Sequence, residues 1–290
     1  MYKSKLKEII YTKVICDSSH PNQSDRLTTI EVNFPRFILP QLNTHRVFSR
    51  NSASSRAVPL EKKIAEVLRN PVYPVRWGEN KSGMQSGNEL SEEKALLAKQ
   101  AWIKGSNYAV EVASTFKDLN IHKEIANRVL EPYLWHRVII TSTDYSNMLN
   151  QRLHHDTQPE FVELAKCIDE ALRYSTPRQL RVYNLDWHLP YLKEEDTHLS
   201  IETQRKISVA RCARVSYLAH DGTRSIDKDL KLFNKLATAS IPHLSPLEHI
   251  ATPSKETTSN FRNFRQLRHF YENNDLDSLE KLDSYVSSEE

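Results

Sequence analysis

One segment of thirteen residues concentrates side chains that bind phosphate. Residues 44–56, THRVFSRNSASSR, contain His45, the arginines Arg46, Arg50 and Arg56, and no acidic residue. An arginine presents a rigid fork of N–H donors that matches phosphate oxygens, and neighbouring hydroxyls add single donors. The segment therefore predicts a loop that binds a phosphorylated small molecule. A solvated basic loop is the alternative that the same composition allows.

Two further arginines stand among apolar neighbours. Arg128 lies in ANRVLEP and Arg152 lies in NMLNQRLHHDTQPE. A guanidinium in apolar surroundings needs an anionic or carbonyl partner. Each arginine could bind an anionic ligand, or it could pair with a nearby acid of the chain, Glu131 or Glu160.

Histidines form two more clusters. In HLSPLEH, His243, Glu248 and His249 surround a Ser-Pro turn, and they could be acid–base groups, metal ligands or a capped helix start. The run His154-His155-Asp156 has neither the HExxH spacing nor a third ligand at a suitable interval, which favours a solvated helix end over a metal site.

These clusters suggest no metal. A metal-dependent hydrolase that uses His154, His155, His243 and His249 is the weaker alternative, because their spacing is wrong for a ligand set.

Composition excludes several classes of protein. The chain has 290 residues, of which five are glycines, and it contains neither GxGxxG nor GxxxxGK[ST]. Its three cysteines lie far apart, which fits a reducing compartment, and we expect a cytoplasmic protein without a signal peptide or a membrane span. The net charge of +3 is too small to favour nucleic-acid binding over the whole surface. No GxSxG elbow or locally activated cysteine indicates a covalent nucleophile.

The intervening sequence predicts the elements that position these clusters. Alternating apolar residues predict strands at 13–17 and 26–34. Helical periodicity predicts helices at 60–68, 91–118, 122–130, 159–174, 201–217, 226–239 and 260–273. Prolines and glycines predict a long loop at 69–90 and an irregular stretch at 175–200. The pattern is typical of an α+β fold, a helix-rich single domain over residues 1–273 with a small mixed or antiparallel sheet, followed by an acidic, flexible tail at 274–290.

The last predicted helix could bind nucleic acid, because FRNFRQLRHFY interleaves basic and aromatic residues. Its spacing also suits an amphipathic helix with four apolar side chains pointing inward, and we favour this interpretation. Those residues are Phe261, Phe264, Leu267 and Phe270.

Together the clusters resemble the flavin-dependent thymidylate synthases. THRVFSRNSASSR resembles the family signature RHRxxSxNxxSxR, and NMLNQRLHHDTQPE resembles NFLxLRxxxHAQxEI. ANRVLEP resembles ARxVLP, while ARVSY and LSPLEH resemble the ARVS and SPFEH segments. The segments ARVSY and LSPLEH follow the arginine motif in this chain, whereas their counterparts precede it in the common family members. The chain therefore resembles a circular permutation of the family. Such an order requires His45 and Glu248 to meet in space, within one subunit or between two.

The resemblance implies a reaction and its partners. In this family dUMP, methylene-tetrahydrofolate and NADPH give dTMP, and FAD carries the one-carbon unit and the hydride, as cofactors commonly do for such steps. The resemblance also implies a homotetramer with active sites shared between subunits.

Individual residues take roles from the same resemblance. The nucleotide-binding positions fall on Gln41, Ser54, Arg56, Arg128 and Arg152. The flavin-lining positions fall on His45, Arg46, Ser49, Asn51, Asn147, Ser245 and Glu248. Ser54 and Arg56 would hold the phosphate, Arg152 would stabilise negative charge on the pyrimidine ring, and His243 would face folate and nicotinamide.

The chain departs from the family pattern at four positions. Thr44 replaces the first arginine, Ser52 an acid, Ala57 an aromatic residue and Asp156 a histidine. Ser52 and Ala57 fall where the nucleotide binds, so methylation or hydroxymethylation of dCMP stays an alternative. A catalytically inactive protein that binds nucleotide or RNA is the non-enzymatic alternative.

Overall fold

The sheet at the centre of the molecule begins with two strands that the sequence predicts. The structure, a computed structural model, describes residues 2–3, 10–22, 24–181, 185–217, 225–237, 239–255 and 260–280. Strand β2 is Tyr11–Ser19 and β3 is Arg26–Pro35, which confirms the predicted strands at 13–17 and 26–34.

Six described strands form this sheet. The others are β1 (Tyr2–Lys3), β4 (Ser49–Ser52), β5 (Trp135–Ser142) and β6 (Arg178–Gln179). The order is β1-β2-β3-β5-β4, with antiparallel neighbours, and β6 pairs with β2 in parallel. Strand β4 therefore lies at one edge of the sheet and carries the middle of the arginine motif.

Helices surround the sheet, and most lie where the periodicity predicts them, whereas those at 39–42 and 146–152 lie in segments for which no helix was predicted. Their bounds are α1 Leu39–Leu42, α2 Leu60–Arg69, α3 Glu92–Asp118, α4 Lys123–Ala126, α5 Ser146–Arg152, α6 Pro159–Arg173, α7 Ile201–Tyr217, α8 Ile226–Ala237 and α9 Leu267–Glu272. Single 3-10 helices cover Arg36–Ile38, Asn127–Tyr133, Glu194–Asp196 and Ser245–His249. The α+β class is confirmed. No described helix combines the length and apolarity that crossing a membrane requires.

Each face of the sheet has its own hydrophobic layer. Ile30 and Ile140 point to the face that packs against Phe161 of α6, and all three side chains are buried. On the other face Ile139 packs against Val209 of α7. Because side chains alternate between the two faces of a strand, the neighbours Ile139 and Ile140 enter different layers. This two-layer packing places α6 and α7 on opposite sides of the arginine motif.

A buried ionic network fixes α7 to the elements beside it. The Arg211 guanidinium donates to both carboxylate oxygens of Asp196 and, through Nε at 3.0 Å, to Asp229 on α8. Arg214 Nε donates to the second oxygen of Asp229 at 2.8 Å. Asp229 is completely buried, so its charge is balanced only by these two arginines among the described residues. Both arginines belong to the segment ARCARVSY.

The predicted helix at 260–273 is wrong in its first half. Residues Phe264–Gln266 form strand β8, which pairs with β7 (Ala251–Pro253), and only Leu267–Glu272 are helical. Asn263 has a left-handed backbone, with φ 54°, which interrupts a helix. The expected inward side chains are confirmed, because Phe261, Phe264, Leu267 and Phe270 are all buried. The three phenylalanine rings are therefore not available for stacking on nucleic-acid bases.

The beginning of the acidic tail packs against the domain, where the sequence predicted a flexible segment. Asp275 accepts a hydrogen bond from Arg265 at 2.5 Å, and Leu279 is 7% exposed in the layer around α7. The expectation of fraying is therefore wrong for residues 274–280. Residues 281–290 of the predicted tail lie outside the described residues.

Candidate active site

The arginine motif is a turn, a strand and a second turn. Residues 44–48 turn out of α1, Ser49–Ser52 pair with β5 so that Asn51 lies opposite Ile139, and the chain turns again before α2. The amide of Ala57 donates to the Ser54 carbonyl at 3.1 Å in that second turn. The motif is thus held as an edge strand, and its polar side chains leave the strand toward three separate clusters.

The first cluster joins the start of the motif to the end of α5. Arg152 Nε donates to His45 Nε2 at 3.0 Å, and Arg152 Nη2 lies 3.2 Å from the Thr44 hydroxyl oxygen. The guanidinium also lies over the Phe161 ring, 4.8 Å from its centre. Among the described residues Arg152 has no carboxylate partner, and Glu160 instead accepts a hydrogen bond from the Val75 amide. The alternative of an Arg152–Glu160 pair is therefore wrong.

His45 is the neutral partner in this cluster. Burial, followed by the charges of Arg152 and Arg50, lowers the pKa of His45 to about 4. A neutral imidazole has one nitrogen that accepts, which is what the Arg152 donor requires. Burial also lowers the pKa of Arg152. The Arg152 cation therefore contacts only neutral acceptors, and an anionic ligand would stabilise it.

Gln41 belongs to the same side of the molecule. Its amide nitrogen donates to the side-chain oxygen of Gln158 at 2.5 Å. Gln158 directly precedes α6, which carries Phe161, so α6 positions partners of both Gln41 and Arg152. The structure thus brings three of the predicted nucleotide or flavin residues, Gln41, His45 and Arg152, to the region between α1, α5 and α6.

The second cluster lies at the other end of the motif. Arg56 is exposed and its Nε lies 3.6 Å from a carboxylate oxygen of Glu124. Arg128 is exposed as well, and its Nη1 donates to Glu131 at 2.9 Å. Pairing with Glu131 is the alternative that the sequence left open for Arg128, and it is confirmed. Ser54 is half-buried and its hydroxyl accepts from the Arg56 amide at 3.2 Å.

Glu131 holds this second cluster together. Its Oε1 accepts from Ser55 at 2.7 Å and from Arg36 at 2.9 Å, in addition to Arg128. Burial alone would raise the pKa of Glu131, but the Ser55 hydrogen bond and the Arg36 charge hold it below its ordinary value. Asn127 contributes as well, because its amide nitrogen donates to the Ser55 carbonyl at 2.6 Å. The second turn of the motif is therefore a rigid surface.

The third cluster brings the LSPLEH segment against the motif. The side-chain amide of Asn51 lies 3.2 Å from the Ser245 hydroxyl and 3.0 Å from Nε2 of His249. Ser49 accepts from Gln266 Nε2 at 3.1 Å and is 1% exposed. Residues separated by nearly two hundred positions thus meet at the edge strand, as the predicted juxtaposition of the two segments requires.

The remaining predicted residues are an ion-paired glutamate and three exposed side chains. Glu248 is half-buried and forms an ion pair with Arg268. No hydrogen bond joins Glu248 to His45 in the described part of the chain. Arg46, Asn147 and His243 are exposed to solvent.

A buried chain of hydrogen bonds supports the third cluster, and the sequence analysis missed it. His249 Nδ1 lies 2.7 Å from the Thr141 hydroxyl, which lies 2.6 Å from the hydroxyl of Thr29. Thr29 is 2.8 Å from Nε2 of His188, whose Nδ1 is 2.8 Å from the Ser18 hydroxyl. Its members Ser18, Thr29 and Thr141 lie on three strands of the sheet, β2, β3 and β5. Only the strand register brings its members together, so no local sequence pattern reveals it.

Acid is expected to destabilise the protein through this buried chain. Burial lowers the pKa of His188 and of His249 to about 3, below the ordinary value of 6.5. The unfolded chain then binds the extra protons, so the stabilisation is complete above pH 6.5 and is lost as the pH falls toward 3. Each histidine contributes about 1.4 kcal/mol per pH unit in that window. Urea unfolding at several pH values measures the slope.

Two histidine variants separate this effect from general acid unfolding. His249→Gln is expected to reduce the slope of unfolding free energy against pH by about 1.4 kcal/mol per unit below pH 6.5. The exposed His155→Gln variant serves as the control and should keep the original slope. An unchanged slope in His249→Gln would contradict the assignment.

Two of the four histidines proposed as metal ligands, His243 and His249, are not placed with the other two. His154, His155 and Asp156 have potential ligand atoms within 4.8 Å of one another, and all three residues are exposed. His155 lies 3.0 Å from Asp156 as an ion pair. His249 is occupied in the buried chain and His243 is exposed elsewhere, so the described structure does not assemble the predicted four-histidine set.

Comparisons with known proteins give distant structural similarity. No protein-family model matches the sequence, and no curated protein matches it. Two solved structures of the UMP/dUMP methylase PolB from Streptomyces cacaoi are similar. The one bound with 5-Br dUMP has 20% sequence identity and a TM-score of 0.41, covering 51% of this chain and 66% of that chain. The one bound with 5-Br UMP has 18% identity and a TM-score of 0.45, covering 56% and 88%. At this identity the likeness concerns the path of the chain only.

Proposed function

We propose that the chain is a flavin-dependent methyltransferase that converts dUMP to dTMP, with methylene-tetrahydrofolate as one-carbon donor and NADPH as reductant. The observation that carries the proposal is the Arg152 cluster, in which a half-buried guanidinium contacts two neutral residues of the arginine motif. A cation with only neutral partners is the group to which a pyrimidine nucleotide would bind most favourably.

Arg152 would act on the pyrimidine ring. Its guanidinium is fixed from two sides, by His45 and Thr44 through hydrogen bonds and by Phe161 through ring contact. A fixed cation stabilises charge that develops in a transition state without having to reorganise. We therefore assign Arg152 to the stabilisation of negative charge on the ring when C5 becomes nucleophilic.

The second cluster would hold the phosphate. Arg56 and Arg128 are exposed, and Ser54 lies between the motif strand and Arg56. Glu124 and Glu131 hold the two arginines in place in the free protein. A phosphate would compete for the same guanidinium donors, and bidentate arginine–phosphate pairing is stronger than an exposed ion pair.

The residues that the resemblance assigns to the flavin offer polar groups that would hold an FAD. Arg46, Asn147 and Ser245 are exposed and polar, so their side chains can bind a ligand, while Ser49, Asn51 and Glu248 are occupied by protein partners that position them. FAD would supply the hydride and carry the one-carbon unit. His45 would line the same surface, and His243 would face folate and nicotinamide from its exposed loop.

A homotetramer would complete the site. The Arg152 cluster and the Arg56–Arg128 cluster lie at opposite ends of the motif strand, and no ion pair or hydrogen bond joins them in the described part of the chain. One nucleotide could contact both clusters if the second came from a neighbouring subunit. This arrangement supports the proposal that active sites are shared between subunits.

Replacing Arg56 tests the phosphate assignment. Arg56→Ala is expected to weaken dUMP binding about tenfold or more, because a charge-assisted pair with phosphate is lost. The fold should be intact, since Arg56 is exposed and its one ion pair within the described ranges is long. Isothermal titration calorimetry with dUMP, in the presence of FAD, gives the affinity.

The control for this experiment is Arg173→Ala, which removes another exposed, ion-paired arginine far from the motif in sequence. An unchanged dUMP affinity in Arg56→Ala would contradict the assignment of Arg56 to the phosphate. Repeating the titration with dCMP shows which pyrimidine nucleotide binds more tightly. The question arises because Ser52 and Ala57 depart from the family pattern where the ring would bind. Tighter binding of dCMP would move the proposal to the cytosine nucleotide.

A further inference from the structure

The loop at 69–90 builds a cavity whose lining includes none of the residues assigned above to the nucleotide or the flavin. The cavity has a volume of about 420 Å³. Its apolar walls include Trp77 of the loop, Trp102 of α3 and Phe37, and its polar lining includes Arg76, Gln158 and Glu160. A volume of this size holds a small ligand, and aromatic walls with a few polar groups are typical of binding sites for planar rings.

The loop is fixed, so the cavity is present before a ligand binds. Glu79 and Gly87 exchange backbone hydrogen bonds with the opposite arm of the loop, and the Leu90 amide donates to the Trp77 carbonyl at 2.9 Å. A Cβ on Gly78 would lie 2.4 Å from Ser86, so glycine is required for the close approach of the two arms. Trp102 donates to the Val72 carbonyl at 2.7 Å, which ties the loop to α3.

The polar groups in the cavity form a defined pattern. Glu160 is 3% exposed; its Oε1 accepts from the Val75 amide, and its Oε2 has no hydrogen-bond partner among the described residues. Gln158 accepts from Gln41 with its side-chain oxygen, and the described chain offers no partner for its amide nitrogen. Both residues line the cavity, and Gln158 is half-buried, so these polar groups are accessible from the cavity. A ligand that donates to Glu160 and accepts from Gln158 would satisfy both.

We propose that this cavity binds a fused heteroaromatic ring with an amino group, a ring N–H and a ring carbonyl along one edge, the edge shared by guanine nucleotides and pterins. The amino group and ring N–H would donate to Glu160, and the carbonyl would accept from Gln158. The ring would stack against Trp77 or Trp102, and Arg76 would contact an anionic substituent. Gln158 joins the cavity to Gln41 of the first cluster. Binding of a pterin here would rest on the proposed function, whose one-carbon donor carries a pterin ring, whereas binding of a guanine nucleotide would not.

Two ligands that differ by one group test the proposal. GMP carries the 2-amino group and IMP lacks it, so the wild-type protein is expected to bind GMP about tenfold more tightly in calorimetric titrations. In Glu160→Gln this preference should disappear, because the side-chain amide places a donor where the carboxylate accepts. Equal affinities for GMP and IMP in the wild-type protein would overturn the proposal. So would the absence of binding of both GMP and folic acid up to about 1 mM.

A second variant covers the case in which Glu160→Gln does not fold. Trp77→Leu removes an aromatic wall and is expected to weaken GMP binding about tenfold, while dUMP affinity stays unchanged. Unchanged GMP affinity in Trp77→Leu would overturn the stacking arrangement. Comparing folic acid with GMP distinguishes the two sources of the ring, and the tighter ligand identifies the one used.

Discussion

Replacing Arg152 with alanine is expected to weaken dUMP binding about 100-fold, the largest effect of any single substitution at the candidate site. The guanidinium is half-buried and oriented by His45, Thr44 and Phe161, so its removal deletes a cation that is already positioned for an anionic ligand. Calorimetric titration with dUMP measures the loss, and circular dichroism checks that the fold is retained.

The conservative variant shows whether geometry or charge matters at this position. Lysine keeps the charge but lacks the planar fork that contacts His45 and Thr44 together, so Arg152→Lys is expected to recover only part of the affinity. Arg173→Ala, which changes an exposed arginine of α6, serves as the matched control. If Arg152→Ala bound dUMP as tightly as the wild-type protein, the role that the proposed function gives to Arg152 would be contradicted.

Replacing Arg211 with alanine is expected to lower the free energy of unfolding by about 3–5 kcal/mol. Arg211 balances the buried carboxylates of Asp196 and Asp229, and it also donates to the Tyr191 carbonyl at 2.9 Å. Its removal leaves one carboxylate without a cation and the other with Arg214 alone. Urea unfolding at pH 7 measures the loss.

A control on the same helix and a compensating change within the network accompany this experiment. Lys206→Ala removes the half-buried lysine of an ion pair with the exposed Glu202 on the same helix and is expected to cost no more than about 1 kcal/mol. Combining Arg211→Ala with Asp196→Asn should recover part of the lost stability, because the second change removes an uncompensated buried charge. A loss below 1 kcal/mol in Arg211→Ala would show that water or rearrangement compensates the charges.

The sequence predicts those elements whose stability is mainly local. Strand β3 alternates apolar and polar residues over most of its length, and α3 begins after Ser91, whose hydroxyl accepts from the Lys94 amide as an N-cap. Strand β5 was missed. Its segment WHRVIITS is buried on both faces and shows no alternation, so periodicity does not distinguish it from a helix.

The residues of the candidate site could be predicted from the sequence, but the contacts between them could not. The motif indicated His45, Asn51 and Arg56, and the structure places all three on or beside the edge strand. What the motif did not indicate is that Asn51 contacts His249, or that His249 contacts Thr141. These contacts depend on strand register and on segments far apart in the chain, which local patterns do not encode.

The meeting of Asn51 with Ser245 and His249 has a consequence for synthesis of the protein. At a translation rate of about 5–20 residues per second, a ribosome needs roughly ten to forty seconds to make the intervening segment. Strand β4 can pair with β5 only after residue 142 has been made, and from then until the LSPLEH segment emerges the side chain of Asn51 lacks its partners. An incompletely covered edge strand is the condition that invites pairing with another chain. We therefore expect the newly made protein to depend on chaperones until its LSPLEH segment has emerged, and a chain that stalls before it to aggregate.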